Sequence, residues 1–162
     1  MTVNEEREVF LRTISSYFKK NSNIPLEKRE DIDRWLISKY NKLLKYVTDA
    51  YNEYDLNKLV KALTLFVSDD LSNWYIRRNR ARFWGNAMDD SKRAVYITTY
   101  EVLVGLSKIL APISPYLSEE IYTNLTLEES VHLADFPKYD ESMVNDYIET
   151  RMDKVRNIIS LG

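Results

Sequence analysis

Four arginines in one short segment are the residues of this sequence best suited to chemistry. The segment 70–84 reads DLSNWYIRRNRARFW, and its arginines fall within six positions: Arg77, Arg78, Arg80 and Arg82. No acidic residue lies between Leu71 and Met88. A guanidinium binds a phosphate through paired hydrogen bonds, and a tryptophan ring offers a stacking surface. The segment therefore favours an anionic partner.

On an α-helix this segment would present two faces. The spacing i, i+4, i+7, i+11 places four side chains on a face that can run along a phosphate backbone: Asn73, Arg77, Arg80 and Trp84. Trp74, Arg78 and Arg82 share the other face, which is expected to pack inward. The predicted binding residues are Asn73, Arg77, Arg80, Arg82 and Trp84, whereas Arg78 is expected to stabilise the core. An alternative stays open, in which the arginines pair with acids of neighbouring helices and both tryptophans lie in the core.

Catalytic and metal chemistry find little support elsewhere in the sequence. His132 is the only histidine, with Asp135 three residues on, and there is no cysteine. Adjacent acids on a helix point apart, so the three acidic pairs do not suggest a shared site: Asp69-Asp70, Asp89-Asp90 and Glu119-Glu120. Three glycines cannot build a phosphate-binding loop. We therefore expect no catalytic residue, no metal site and no cofactor in this chain.

Helical periodicity dominates the chain and predicts an all-α fold, a single bundle of five or six helices over residues 1–162. The 3 glycines and 4 prolines disfavour an all-β fold with many short strands. Apolar residues recur at helical spacing, as at Leu36, Leu43 and Val47. The longest helix is expected to cover most of 56–84 and so to position the arginines.

Capping residues predict where the helices of the first half begin and end. The pair Thr2 and Glu5 has the spacing of a capping box and predicts the start of a first helix. The second helix begins near Asp31. Asp55 is the predicted N-cap of the third helix, and Gly85 is a natural residue to follow its end.

Prolines and serines predict the boundaries in the second half. Pro112 ends the fourth helix, because proline lacks the N–H that an α-helix needs. Ser114 and Pro115 then start a short helix as N-cap and first residue. A loop with a short extended run at 131–133 follows, and Ser142 is the predicted cap of the last helix.

Net charge and hydropathy give weaker evidence about the binding partner and the cellular compartment. The 23 basic and 25 acidic residues give a formal net charge of −2, which argues mildly against a nucleic-acid binder but does not exclude a local basic patch. No run approaches 18 apolar residues, and no signal-peptide pattern follows Met1. We expect a cytoplasmic protein with no membrane partner.

Four elements in chain order resemble the anticodon-binding domain of isoleucyl-tRNA synthetases. The segment DLSNWYIR at 70–77, followed by arginines and Phe83-Trp84, is similar to the signature helix of that domain. DRWLISK at 33–39 resembles the start of its second helix. The double-proline run at 110–122 is similar to an element shared by the isoleucine, valine, leucine and methionine enzymes. SVHLADFP at 130–137 resembles the segment that closes the domain in the isoleucine enzymes.

The resemblance implies that the chain is a fragment of an isoleucine–tRNA ligase, a parent that joins isoleucine to tRNA(Ile) with ATP and magnesium. The motifs His-Ile-Gly-His and Lys-Met-Ser-Lys-Ser, which handle ATP in this family, are absent from the sequence, as are the catalytic and editing domains. The fragment is thus expected to dock tRNA without catalysing the reaction, as a monomer that does not bind DNA. Two alternatives are a protein-interaction bundle without RNA binding and a small helical enzyme.

Overall fold

Six α-helices make up most of the computed structural model, which describes residues 24–85 and 89–160. In chain order they are α1 Asp31–Asn52, α2 Leu56–Leu65, α3 Arg80–Trp84, α4 Asp90–Leu110, α5 Pro115–Thr126 and α6 Asp146–Ser160. Short 3₁₀ turns occur at Leu26–Lys28, Val131–Leu133 and Glu141–Met143. No strand occurs among the described residues, and the predicted all-α class is confirmed. The predicted first helix, with its capping box at Thr2 and Glu5, lies outside the described residues.

The chain forms two compact units. One contains residue 24 and residues 99–137, and the other contains the described residues of 25–98 and 138–160. That 1–162 acts as a single domain stays a prediction. None of the described helices is both long enough and apolar enough to cross a membrane.

The core of the second unit is built on α1. Helical spacing brings large apolar side chains to one side of this helix, and Trp35, Leu36 and Val47 have no exposed surface. Leu59 of α2 is also fully buried. Each such side chain contributes about 1.5–3 kcal/mol by leaving water, so this packing fixes the helices that position the arginine segment.

The predicted long helix over 56–84 is helical but is not a regular α-helix. Asp55 caps its start as predicted, since its carboxylate accepts the Lys58 backbone N–H at 3.0 Å. After α2 the chain forms a π-helix at Phe66–Ile76, at whose end the Arg77 N–H donates to the Ser72 carbonyl, five residues back. The expectation of regular α-helical spacing through this stretch is therefore wrong.

The end of this rod, which we define as residues 56–84, also differs from expectation in detail. After the π-helix, Asn79 has φ −91° and ψ 10°, outside the α-helical region, and α3 follows it. The helix ends at Trp84, next to Gly85 as predicted. Gly85 itself has φ −57° and ψ 147°, an extended conformation rather than the left-handed one that favours glycine after a helix.

The boundaries predicted from proline are confirmed. The helix α4 ends at Leu110, two residues before Pro112, and α5 has Pro115 in its first turn. Ser114 precedes it, but its side chain makes no capping hydrogen bond. The helix ends before Leu127, which has φ 58°.

Two local predictions near the C-terminus are wrong. The run Val131–Leu133 is a 3₁₀ turn rather than an extended segment. The last helix begins at Asp146, so Ser142 does not cap it. Asn145 is the cap, because its side-chain oxygen accepts the Ile148 backbone N–H at 3.0 Å. Ser142 instead lies in a turn whose own cap is Asp140.

Candidate functional site

The arginine segment alternates between buried and exposed residues. Tyr75 is fully buried and Asn79 nearly so, which anchors this part of the rod against the rest of its unit. The side chains between and beside them are exposed: Arg77, Arg78 and Arg80. Three cations are thus held at the surface by a buried framework.

Arg82 differs from the other arginines because it belongs to that framework. Its side chain is 14% exposed. Nη1 donates to Asp33 Oδ1 and to Asn79 Oδ1, both at 2.9 Å, and Nη2 donates to Asp33 Oδ2 at 2.8 Å. The remaining donors reach Ser91, with Nε to the hydroxyl at 2.8 Å and Nη2 to the carbonyl at 2.7 Å. All five N–H groups of the guanidinium are therefore used internally.

Asp33 is the acceptor around which this cluster is built. It has no exposed surface and receives the Arg82 fork on both oxygens. The Tyr75 hydroxyl donates to its Oδ1 at 2.6 Å. Burial, and then the charge of Asp33, raise the pKa of the Tyr75 phenol, which stays protonated. Burial alone would lower the pKa of Arg82, but the hydrogen bond and charge of Asp33 outweigh it, so the pKa is raised.

The predicted site residues therefore fall into two groups. Asn73, Arg77 and Arg80 are exposed, and Trp84 is 83% exposed. Among the described residues, neither Arg77 nor Arg80 has an ion-pair or hydrogen-bond partner for its side chain. Arg82 is held inside the unit, where all its N–H donors are used. Its contact with a nucleic acid stays a prediction.

Arg78 also lies elsewhere than predicted. Spacing placed it towards the core, and this is wrong, because the residue is exposed. Its guanidinium lies over the ring of Trp74 in a cation–π contact, with Cζ 4.7 Å from the ring centroid. The guanidinium of Arg156 from α6 lies 5.3 Å from the same ring and pairs with Asp70 at 2.5 Å. The half-buried Trp74 thus belongs to a cluster that includes two arginines and one acid.

Two lysines, Lys42 near the rod and Lys58 within it, are neutralised by acids. Lys42 lies 2.6 Å from Asp146 and 2.9 Å from Glu149, and the Asp146 hydrogen bond is the main cause that raises its pKa. Lys58 pairs with Glu53 at 3.1 Å. Arg77 and Arg80 are therefore distinguished from these cations by their lack of a counter-charge in the described part of the chain.

The residues considered for catalysis are not assembled into a site. His132 is exposed in the 3₁₀ turn, and its backbone N–H donates to the Ser130 hydroxyl at 3.1 Å. Asp135 is exposed as well. Over 24–85 and 89–160, no group of three or more His, Asp or Glu side chains is placed to hold a metal ion.

Sequence reasoning missed the buried partners Asp33 and Tyr75. The only local signal was an acid beside the buried pair Trp35 and Leu36, at a position where a charge needs a partner. Nothing in the sequence identified Arg82, 49 residues away, as that partner.

Comparisons with known proteins identify the family to which the chain belongs. Residues 33–162 match the model of the family described as the anticodon-binding domain of tRNA ligase. The isoleucine–tRNA ligase of Bacteroides thetaiotaomicron is 41% identical over 148 residues, which covers 88% of this chain and 13% of the relative. That of Clostridium tetani is 38% identical and covers 99% of this chain and 17% of the relative. The chain thus spans less than a fifth of the length of these relatives.

Proposed function

Because the chain belongs to the family of anticodon-binding domains of tRNA ligases, we propose that it docks tRNA through the exposed side of its arginine-rich rod. The observation that carries the proposal is the exposure of Arg77 and Arg80 without a counter-charge in the described residues. A guanidinium in this state keeps its donors for phosphate oxygens. The exposed Asn73 adds an amide donor, and Trp84 adds a ring on which an unpaired base can stack.

The charge distribution supports a single docking face. The formal net charge of −2 repels RNA weakly over the whole chain. Lys42 and Lys58 are paired with acids. The unpaired arginines of the rod attract an anion locally, which orients an approaching RNA before contact.

The proposed role is positioning rather than chemistry. The parent protein is proposed to be an isoleucine–tRNA ligase that uses ATP with magnesium, with tRNA(Ile) as the nucleic acid and the cytoplasm as its compartment. The described residues offer no metal-binding cluster, so no step of ATP chemistry is assigned to them. Phosphate contacts fix the register and orientation of the bound RNA. Correct placement of a distant reacting group by itself accelerates a reaction.

Arg82 has a different place in this proposal. Its guanidinium holds Asp33 and so fixes the segment that contains the exposed arginines. It is a positioning residue, whereas Asn73, Arg77, Arg80 and Trp84 contact the RNA.

Titration of the full chain into labelled tRNA(Ile) and a non-cognate tRNA, each at several salt concentrations, tests the proposal. We expect binding whose affinity falls steeply as salt rises, because each phosphate contact releases counterions. The chain is expected to sediment as a monomer in the absence of RNA. Indifference to both RNAs at low salt would overturn the proposal and favour a protein-interaction bundle.

A further inference from the structure

We propose that Arg78 is a further RNA-contacting residue, a phosphate ligand whose guanidinium is held in place by stacking on Trp74. The inference rests on the proposed docking function and changes its contact set. Arg77, Arg78 and Arg80 then form the phosphate-binding group, and Arg82 lies outside it.

The geometry of Arg78 leaves its binding edge free. Its Cζ lies over the Trp74 ring, 4.7 Å from the centroid, which is the distance of a cation–π contact and requires no acid partner. The five N–H groups lie in the plane of the guanidinium, around its edge. No hydrogen bond or ion pair to the Arg78 side chain occurs among the described residues, and the residue is exposed. A planar, stacked donor of this kind suits the paired oxygens of a phosphate.

The stacking surface is itself fixed. The Arg156 guanidinium lies 5.3 Å from the Trp74 ring and 5.5 Å from the ring of the fully buried Trp35, so α6, the π-helix and α1 meet there. Trp74 Nε1 is buried without an acceptor in the described structure. Arg78 therefore lies over a ring that is also in contact with Arg156.

The charge balance of the cluster favours Arg78 over Arg156 as the ligand. Asp70 lies 2.5 Å from Arg156 and neutralises it. The same carboxylate lies 3.9 Å from Lys39. No acid is paired with Arg78 in the described part of the chain, so its charge is available to an anion. Because stacking already restricts the side chain, less rotamer freedom is lost on binding than for an unsupported arginine.

Arg78→Lys separates this role from a general charge effect. Lysine keeps the charge but has neither the planar face for stacking nor the paired donors. We expect tRNA affinity to fall about 10- to 150-fold, the size of one charge-assisted hydrogen bond. The slope of log K against log salt concentration should be the same as in the unmodified chain. In Arg78→Ala the slope of log K against log salt should also become shallower by about 0.7–0.9.

Arg151→Lys is the matched control. Arg151 is also an arginine over an aromatic ring, 5.6 Å from that of Tyr147, but it lies 3.7 Å from Asp31 and is outside the rod. We expect no change in tRNA affinity. Trp74→Leu should weaken binding in the unmodified chain but have little further effect in Arg78→Ala, because the ring acts through that arginine. Urea unfolding of each variant gives the folded fraction on which affinity is calculated.

The outcomes distinguish this inference from the proposed function. If both Arg78 variants bind like the unmodified chain while Arg77→Ala and Arg80→Ala bind weakly, the stacked-ligand inference is wrong and docking by the rod stands. The stacked-ligand inference is also wrong if Arg78→Ala lowers the stability of the chain but leaves its tRNA affinity unchanged. If the unmodified chain binds no tRNA at low salt, the proposed function fails and this inference fails with it.

Discussion

At the scale of single residues, the buried carboxylate of Asp33 organises the site without being part of its surface. A charge with no exposed area is stable only when its hydrogen-bonding capacity is filled, and here Arg82 and Tyr75 fill it. Removing one partner of such a pair leaves an uncompensated buried charge and typically costs about 3–5 kcal/mol. The exposed arginines have no comparable internal role.

The buried phenol of Tyr75 predicts a loss of stability at alkaline pH. Its pKa is raised in the folded protein, so the folded state keeps the proton while the unfolded chain releases it above the ordinary value of 10.0. The free energy of unfolding therefore keeps its full value below about pH 10. Above that pH it falls, by up to about 1.4 kcal/mol per pH unit for one proton. Tyr75→Phe should make this fall less steep, as measured by urea unfolding between pH 9 and pH 11.

Tyr116→Phe is the control for the alkaline experiment, because Tyr116 is 91% exposed and its surroundings change little on unfolding. Some pH dependence should persist in Tyr75→Phe, since burial also raises the pKa of Tyr40. An alkaline slope identical in the unmodified chain and in Tyr75→Phe would show that the phenol ionises equally readily in both states.

At the scale of elements, the rod shows why the inward face was assigned wrongly to Arg78 from the sequence. Its α-helical spacing is interrupted by the π-helix at Phe66–Ile76 and again at Asn79. Arg78 and Arg82, four residues apart, lie on opposite sides of Asn79 and do not share a face as a regular helix would require. No local pattern in the segment marks a π-helix.

The start of α6 offers a direct comparison between the predicted and observed cap. Asn145→Ala removes the side-chain acceptor of the Ile148 N–H and should cost about 1 kcal/mol of unfolding free energy. Ser142→Ala, at the cap predicted from sequence, should cost less than about 0.5 kcal/mol, because this exposed residue caps no helix. Equal losses in the two variants, measured by urea unfolding, would argue against the observed boundary.

At the scale of the whole molecule, the helical periodicity of apolar residues and the positions of capping residues and prolines made the fold class and several helix boundaries predictable. The all-α class followed from apolar spacing, and the boundaries at Asp55 and Pro112 followed from capping and proline chemistry. The exposure of Arg77 and Arg80 was also anticipated from charge clustering. The pairing of Arg82 with Asp33 was not, because the two residues lie 49 positions apart in the sequence. Long-range pairing of this kind leaves no local pattern.

The central claim is that unpaired arginines on the rod contact tRNA while the paired arginine supports them. The salt dependence of tRNA binding tests it most directly, measured for the double variant Arg77→Ala with Arg80→Ala and for Arg82→Ala. The double variant should bind more weakly, with a slope shallower by about 1.4–1.8 for two lost contacts. Its stability should change by only about 0–1 kcal/mol per residue, since both side chains are exposed.

Arg82→Ala should show the reverse pattern. It should lose about 3–5 kcal/mol of stability, because Asp33 stays buried without its partner, while the folded fraction keeps the slope of the unmodified chain. An unchanged affinity and slope in the double variant would contradict the account, since the tRNA surface would then lie away from the rod.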